Sequence, residues 1–96
     1  MSTGTNLSSA GLDARRRRLL FRCWHRGIRE MDLVLGRFAD AQLKQLNEPE
    51  LTEVERWLDV PDQQIFAWVN GMEAVPPEFD TPLFRRLCEF NNKGRT

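Results

Sequence analysis

The sequence contains no tyrosine, only one histidine (His25), two cysteines (Cys23 and Cys88) and no net charge. Each scarcity excludes something. A lone histidine without cysteines in ligand spacing leaves no closed zinc site, so no metal is expected. Cys23 and His25 are two residues apart and do not face each other on a helix, which removes a Cys–His nucleophile. Neither a Walker sequence nor GxGxxG occurs, and Gly27 stands alone with no strand before it, so the usual modes of nucleotide binding are absent. No catalytic residue emerges, and the chain does not read as an enzyme. No apolar run approaches the roughly 18 residues of a membrane span, so membrane insertion is not expected. Residues 1–12 are polar and lack the hydrophobic core of a secretory signal. They are Ser/Thr-rich and precede arginines, as in a mitochondrial presequence, but those arginines lie inside the first core-facing helix. A bacterial cytoplasm is therefore expected ahead of a mitochondrial matrix. Cys23 and Cys88 fit reduced thiols on apolar helix faces.

What is present is a short, charged, apolar-patterned chain. With 96 residues, 41% of them hydrophobic and 29% charged, it should form one domain burying roughly 60 to 65% of its unfolded-chain surface. The zero net charge conceals an asymmetry. Residues 1–46 hold nine Lys/Arg against four Asp/Glu, net +5, and residues 47–96 hold five against ten, net −5. Arg15 to Arg18, Arg22, Arg26 and Arg29 supply most of the positive end, so an anionic partner should meet the first two helices first. Such arginines can contact phosphates. The acidic second half would repel them, and there is neither a recognition-helix motif nor an exposed aromatic platform, so nucleic acid is not the expected partner.

Periodicity predicts helix from about residue 13 to about residue 92, with no convincing strand. Leu12, Leu19, Leu20, Cys23 and Trp24 share one face of a first helix, and Ile28, Met31, Leu35, Phe38, Leu43 and Leu46 share one face of a second. Gly27 falls at their junction. Gly36, costing about 1 kcal/mol relative to Ala, is expected to loosen or split the second helix. Asn47 with Glu50 forms a capping box for a third helix, whose inner face is Leu51, Val54, Trp57 and Leu58. Asp59 and Pro61 restart the chain into a fourth, with Ile65, Trp68, Val69 and Met72 inward and Gly71 near its end. Residues 74–78 cannot continue it. A last helix begins at Asp80 or Thr81 with Pro82 in its first turn, presenting Leu83, Phe84, Leu87 and Phe90. The expected fold is all-α, a compact bundle of about five short helices over residues 13–92. Residues 1–12 are expected as a disordered tail and residues 93–96 as a C-terminal one.

Among these elements, Arg26-Gly27-Ile28-Arg29-Glu30 is the most distinctive stretch. Two cations flank a glycine, and Glu30, one turn from Arg26, is expected on the same face, an arrangement suited to docking more than to catalysis. From the residues alone, a helix start with an ordinary Arg26–Glu30 surface pair is the favoured reading. Trp57 and Trp68 fall at core spacing, whereas Trp24 fits a core or an interface position equally. With the preceding Arg18 to His25, the following Met31-Asp32, the Leu35-Gly36-Arg37-Phe38 segment, Trp57 to Asp62 and Ile65 to Val69, the motif resembles the SdhE family of succinate dehydrogenase assembly factors. RGxxE is its hallmark. The resemblance runs from about residue 14 to about residue 90, and Cys23 departs from it where a small polar residue would be expected.

The resemblance implies a helical protein that binds the flavoprotein subunit of succinate dehydrogenase, with fumarate reductase as a further client, and promotes covalent attachment of FAD. The bond forms between a client histidine and a methyl group of the flavin. The factor would carry no cofactor of its own, would bind the client with FAD already in place, and would be monomeric when free. Gly27 would permit close backbone approach and Glu30 would reach toward the flavin-linking site. Arg26 and Arg29 would pair with client carboxylates or steady Glu30, and Arg22, Trp24 and Asp32 would complete the client-binding set. Two further classes stay open. An antitoxin-like partner of a membrane-associated toxin is one, and a small basic nucleic-acid module is the other.

Overall fold

The computed structural model describes residues 12–93 and folds them as five α-helices without a strand among the described residues. The expected tails fall outside the described residues except at their inner ends. Leu12 is buried and Lys93 belongs to the last helix, so the folded unit reaches at least one residue further at each end than the periodicity implied.

Helix α1 (Ala14–Trp24) starts where Asp13 caps it, its carboxylate accepting from the Arg16 backbone N–H at 3.0 Å. It stops at His25, and a short linker containing Gly27 at φ +107° turns the chain into α2 (Arg29–Gln42). Only glycine adopts that φ without strain. Gly36 does not split α2, which runs unbroken before tightening into a 3₁₀ turn, Leu43–Gln45. The side chain of Trp24 fills the space above Gly36, so the packing it permits outweighs the lost propensity.

Helix α3 (Glu48–Leu58) begins with the complete Asn47–Glu50 capping box, and α4 (Asp62–Val69) follows Pro61. Helix α4 ends in a Schellman motif around Gly71 at φ +75°, with Met72 N–H donating to Ala67 O at 2.8 Å and Gly71 N–H to Trp68 O at 3.2 Å. Met72, expected inward, sits beyond the helical register and is 69% exposed. Ile28, also expected on an inner face, precedes α2 in extended conformation and is 41% exposed. Helix α5 (Pro82–Lys93) starts after Thr81, whose hydroxyl accepts from Phe84 N–H at 3.1 Å.

The five helices close on a core of Leu, Ile and Val side chains threaded by aromatic rings. Phe90, Phe38, Trp57, Phe84, Trp68 and Phe79 follow one another with centroid separations of 5.0 to 6.2 Å, mostly tilted or edge-on. That run stitches α5, α2, α3 and α4 together. Helix α1 is fastened differently. Arg15 donates to Glu55 and Thr52 and pairs with Glu48, all on α3, and the Arg16 guanidinium donates to the Leu43 and Leu46 carbonyls. Part of the charge asymmetry between the halves is thus used inside the fold.

Candidate functional site

The linker between α1 and α2 gathers the motif, and its geometry follows from three internal ties. Arg26 is not on a helix. Its Nε donates to Asp62 Oδ1 at 2.8 Å, its Nη1 to Leu58 O at 2.9 Å and its Nη2 to Val60 O at 3.2 Å. The guanidinium therefore grips the corner between α3 and α4, with the two charged side chains only 13% and 19% exposed. The second tie is Asp32, whose carboxylate accepts from Arg26 N–H at 2.7 Å and closes the linker on itself. The third is Asp32 N–H donating to Ile28 O at 3.1 Å, the first turn of α2. Glycine at position 27 lets the chain reverse between these anchors, and beyond its chain neighbours no atom of the described residues lies within 4 Å of where its Cβ would be.

This arrangement corrects the expected pairing of Arg26 with Glu30 on one helical face. Arg26 neither steadies Glu30 nor presents its guanidinium outward, because Asp62 and two carbonyls, 32 to 36 residues away, take it. Trp24 resolves as a core residue. It is 8% exposed, lies against Gly36 and donates its indole N–H to Asp40 at 3.2 Å. Asp32, half-buried, supports the backbone.

What faces outward is Arg22, Gly27, Ile28, Arg29 and Glu30. Arg22 reaches Asp59 at 3.7 Å while staying 47% exposed. Glu30, in the first turn of α2, is exposed, and its carboxylate forms no hydrogen bond or ion pair with the described residues. It sits where two apolar clefts meet. One, of about 330 Å³, runs between Leu33, Val34, Phe66 and Phe90, with Arg37, Asn70 and Asn91 at its border. The other, of about 370 Å³, is lined by Ile28, Gln63, Phe66, Ala67 and Met72. Glu30 and Phe66 belong to both. A free carboxylate between apolar grooves suits a partner segment with apolar side chains beside a cationic or imidazole group. Phe66 and Met72 are not among the site residues expected from the sequence. The exposure of Met72 could have been read from its place just past Gly71.

On the other side of the linker His25 stacks on Phe21 at 3.9 Å, and its Nδ1 lies 2.7 Å from Phe21 O. Phe21 is 62% exposed and borders a shallow basic depression with Arg17, Arg18 and Arg22. Cys23 is buried, and burial pushes its thiol up to about 12; burial likewise raises Cys88. Both act as packing residues. Among the described residues no group of three or more His, Cys, Asp or Glu is placed to hold a metal ion, and no helix is long and apolar enough to cross a membrane.

Comparison with known proteins places this geometry in a family. Residues 17–91 match the family described as the flavinator of succinate dehydrogenase. The FAD assembly factor SdhE of Acetobacter pasteurianus is 39% identical over 88 residues, which span 92% of this chain and 81% of that protein. Mitochondrial succinate dehydrogenase assembly factor 2 is 35% identical over 84 residues in Dictyostelium discoideum and 40% identical over 88 in Yarrowia lipolytica. The chain spans only 60% and 61% of those two proteins. The motif, the linker that displays it and helices α2 to α4 lie within the matched residues, as does α1 from Arg17 onward, and the chain belongs to the family of succinate dehydrogenase flavinators.

Proposed function

We propose that this protein is an assembly factor that binds the flavoprotein subunit of succinate dehydrogenase and promotes its covalent flavinylation. The observation that carries this reading is Glu30, a solvent-facing carboxylate without a partner among the described residues, displayed between two apolar clefts just after a braced linker. Surface acids on helices commonly pair along the helix or with a neighbouring element. Glu30 is left for a partner.

The protein acts by holding the client rather than by donating a nucleophile. Apolar client side chains enter the clefts beside Phe66, and Glu30 accepts hydrogen bonds from a client histidine or arginine, ordering the site where the flavin is joined. FAD arrives in the client. On this reading the factor carries no cofactor of its own. It works as a monomer in the bacterial cytoplasm, with fumarate reductase as a second client.

The test is in-gel flavin fluorescence of the denatured flavoprotein subunit from cells that have the protein, lack it, or carry Gly27→Arg or Glu30→Ala. Loss of the band in the deletion and in both folded variants supports the reading. An undiminished band in the deletion strain overturns it.

A further inference from the structure

The corner between α3 and α4 lies outside the motif, yet it determines where the motif sits. Asp62 is the first residue of α4, and the first two turns of that helix supply Gln63, Phe66 and Ala67 to the cleft beside Glu30. The same residue holds the Arg26 guanidinium through two contacts to one oxygen, Nε at 2.8 Å and Nη2 at 2.7 Å. Arg26 in turn hands its backbone N–H to Asp32, one turn into α2. A continuous polar path therefore runs from the start of α4 through the linker to the helix turn that carries Glu30. No contact on this path involves Glu30 itself.

Resting on the flavinylation reading above, we infer that Asp62 is a positioning residue for client flavinylation: acting through Arg26, it fixes Glu30 against the α4 wall of the docking clefts. The pair is charged and mostly shielded from water, so its geometry is held more firmly than that of an exposed ion pair. Gripping two carbonyls as well as the carboxylate needs the planar fork of arginine, which an ammonium cannot reproduce. Without Asp62, the guanidinium retains only the carbonyls of Leu58 and Val60, and the linker can swing relative to α4. Glu30 then keeps its chemistry but loses its place. This explains why an arginine belongs beside the glycine even though it faces inward.

A double-mutant cycle on function tests this. The rate of covalent flavin attachment to the purified flavoprotein subunit, with FAD supplied, is measured with the full chain and with Asp62→Ala, Glu30→Ala and the double variant. Arg26→Lys is carried through the same cycle, and all variants are assayed below their melting temperatures. Asp62→Ala is expected to slow attachment about tenfold when Glu30 is present, and less than about twofold in the Glu30→Ala background, the non-additivity of residues acting through one group. Arg26→Lys is expected to repeat that pattern, and it decides the matter alone if Asp62→Ala does not fold. A merely structural role would slow both backgrounds equally, and that result overturns the inference. Full rate in folded Asp62→Ala with a slowed Glu30→Ala overturns it while leaving the flavinylation reading intact. Full rate in Glu30→Ala overturns the use of Glu30 in both.

Discussion

The indole of Trp24 occupies the space that a side chain on Gly36 would fill, with Cε2 and Cε3 2.5 Å and 2.7 Å from where a Cβ would stand and Cδ2 closer still. Helices α1 and α2 meet at this point, and the contact fixes how the linker between them is aimed. Propensity alone says that Gly36→Ala should stabilise α2 by about 1 kcal/mol. Overpacking against a buried ring costs about 1 to 3 kcal/mol and wins. Gly36→Ala is therefore expected to lower Tm by several degrees, at roughly 4 to 8 °C per kcal/mol for a domain of this size. Thermal unfolding checks it, and a smaller residue in place of Trp24 should recover part of the loss only when combined with Gly36→Ala.

Gly27 makes the opposite demand. Its positive φ costs any side chain about 1 to 3 kcal/mol, but nothing crowds the position. Gly27→Ala and Gly27→Arg should therefore lose similar amounts of stability. Client affinity should separate them, with Ala retaining much of it and Arg very little. Equal affinity for the two variants in a pull-down titration would mean that Gly27 serves only the turn.

Acid should loosen the attachment of α1. Hydrogen bonding from Arg15 holds Glu55 below its usual 4.5, and the Arg16 backbone N–H holds Asp13 below its usual 3.8. Both carboxylates bind protons more weakly folded than unfolded, so their contribution is complete above those values and is lost as pH falls through the lower folded ones. Both groups are well exposed, so the effect is modest. Melting scans from pH 6 to pH 2.5 should show Tm falling below about pH 4.5, with a shallower fall in Glu55→Gln.

The thiols should respond at the other end of the pH range. With Cys23 raised to about 12 against an ordinary 9.0, the folded state keeps it neutral. The stability this brings is full below pH 9 and is lost as pH rises toward 12. Iodoacetamide at pH 8 should label half-buried Cys88 slowly and Cys23 only after unfolding, as mass spectrometry of peptides would show. Early labelling of Cys23 would contradict its burial.

The parts of this fold that the sequence announces are those whose causes are local. The Asn47–Glu50 box, Pro61 before α4, Gly71 after it and Thr81-Pro82 before α5 each act within one turn, and each stands where the spacing put it. Gly36 misled because its reason is a tryptophan twelve residues earlier, invisible to a propensity scale. Arg26 misled for the same reason at longer range, since Asp62 and the carbonyls of Leu58 and Val60 come together only once α3 and α4 have folded. Ile28 and Met72 follow the helical period as letters but lie just outside helices, where the period no longer sets direction. That Glu30 lacks Arg26 as a partner could not be read from its spacing, because Asp62 and the carbonyls of Leu58 and Val60 take the guanidinium.

All three tryptophans, Trp24, Trp57 and Trp68, lie in the interior at 8% exposure or less, and the chain has no tyrosine. None of the three lines the clefts beside Glu30, so the intrinsic ultraviolet emission of the protein comes from its core. It will follow unfolding closely. A dye attached near Met72, on the exposed turn after α4, would look directly onto the docking face.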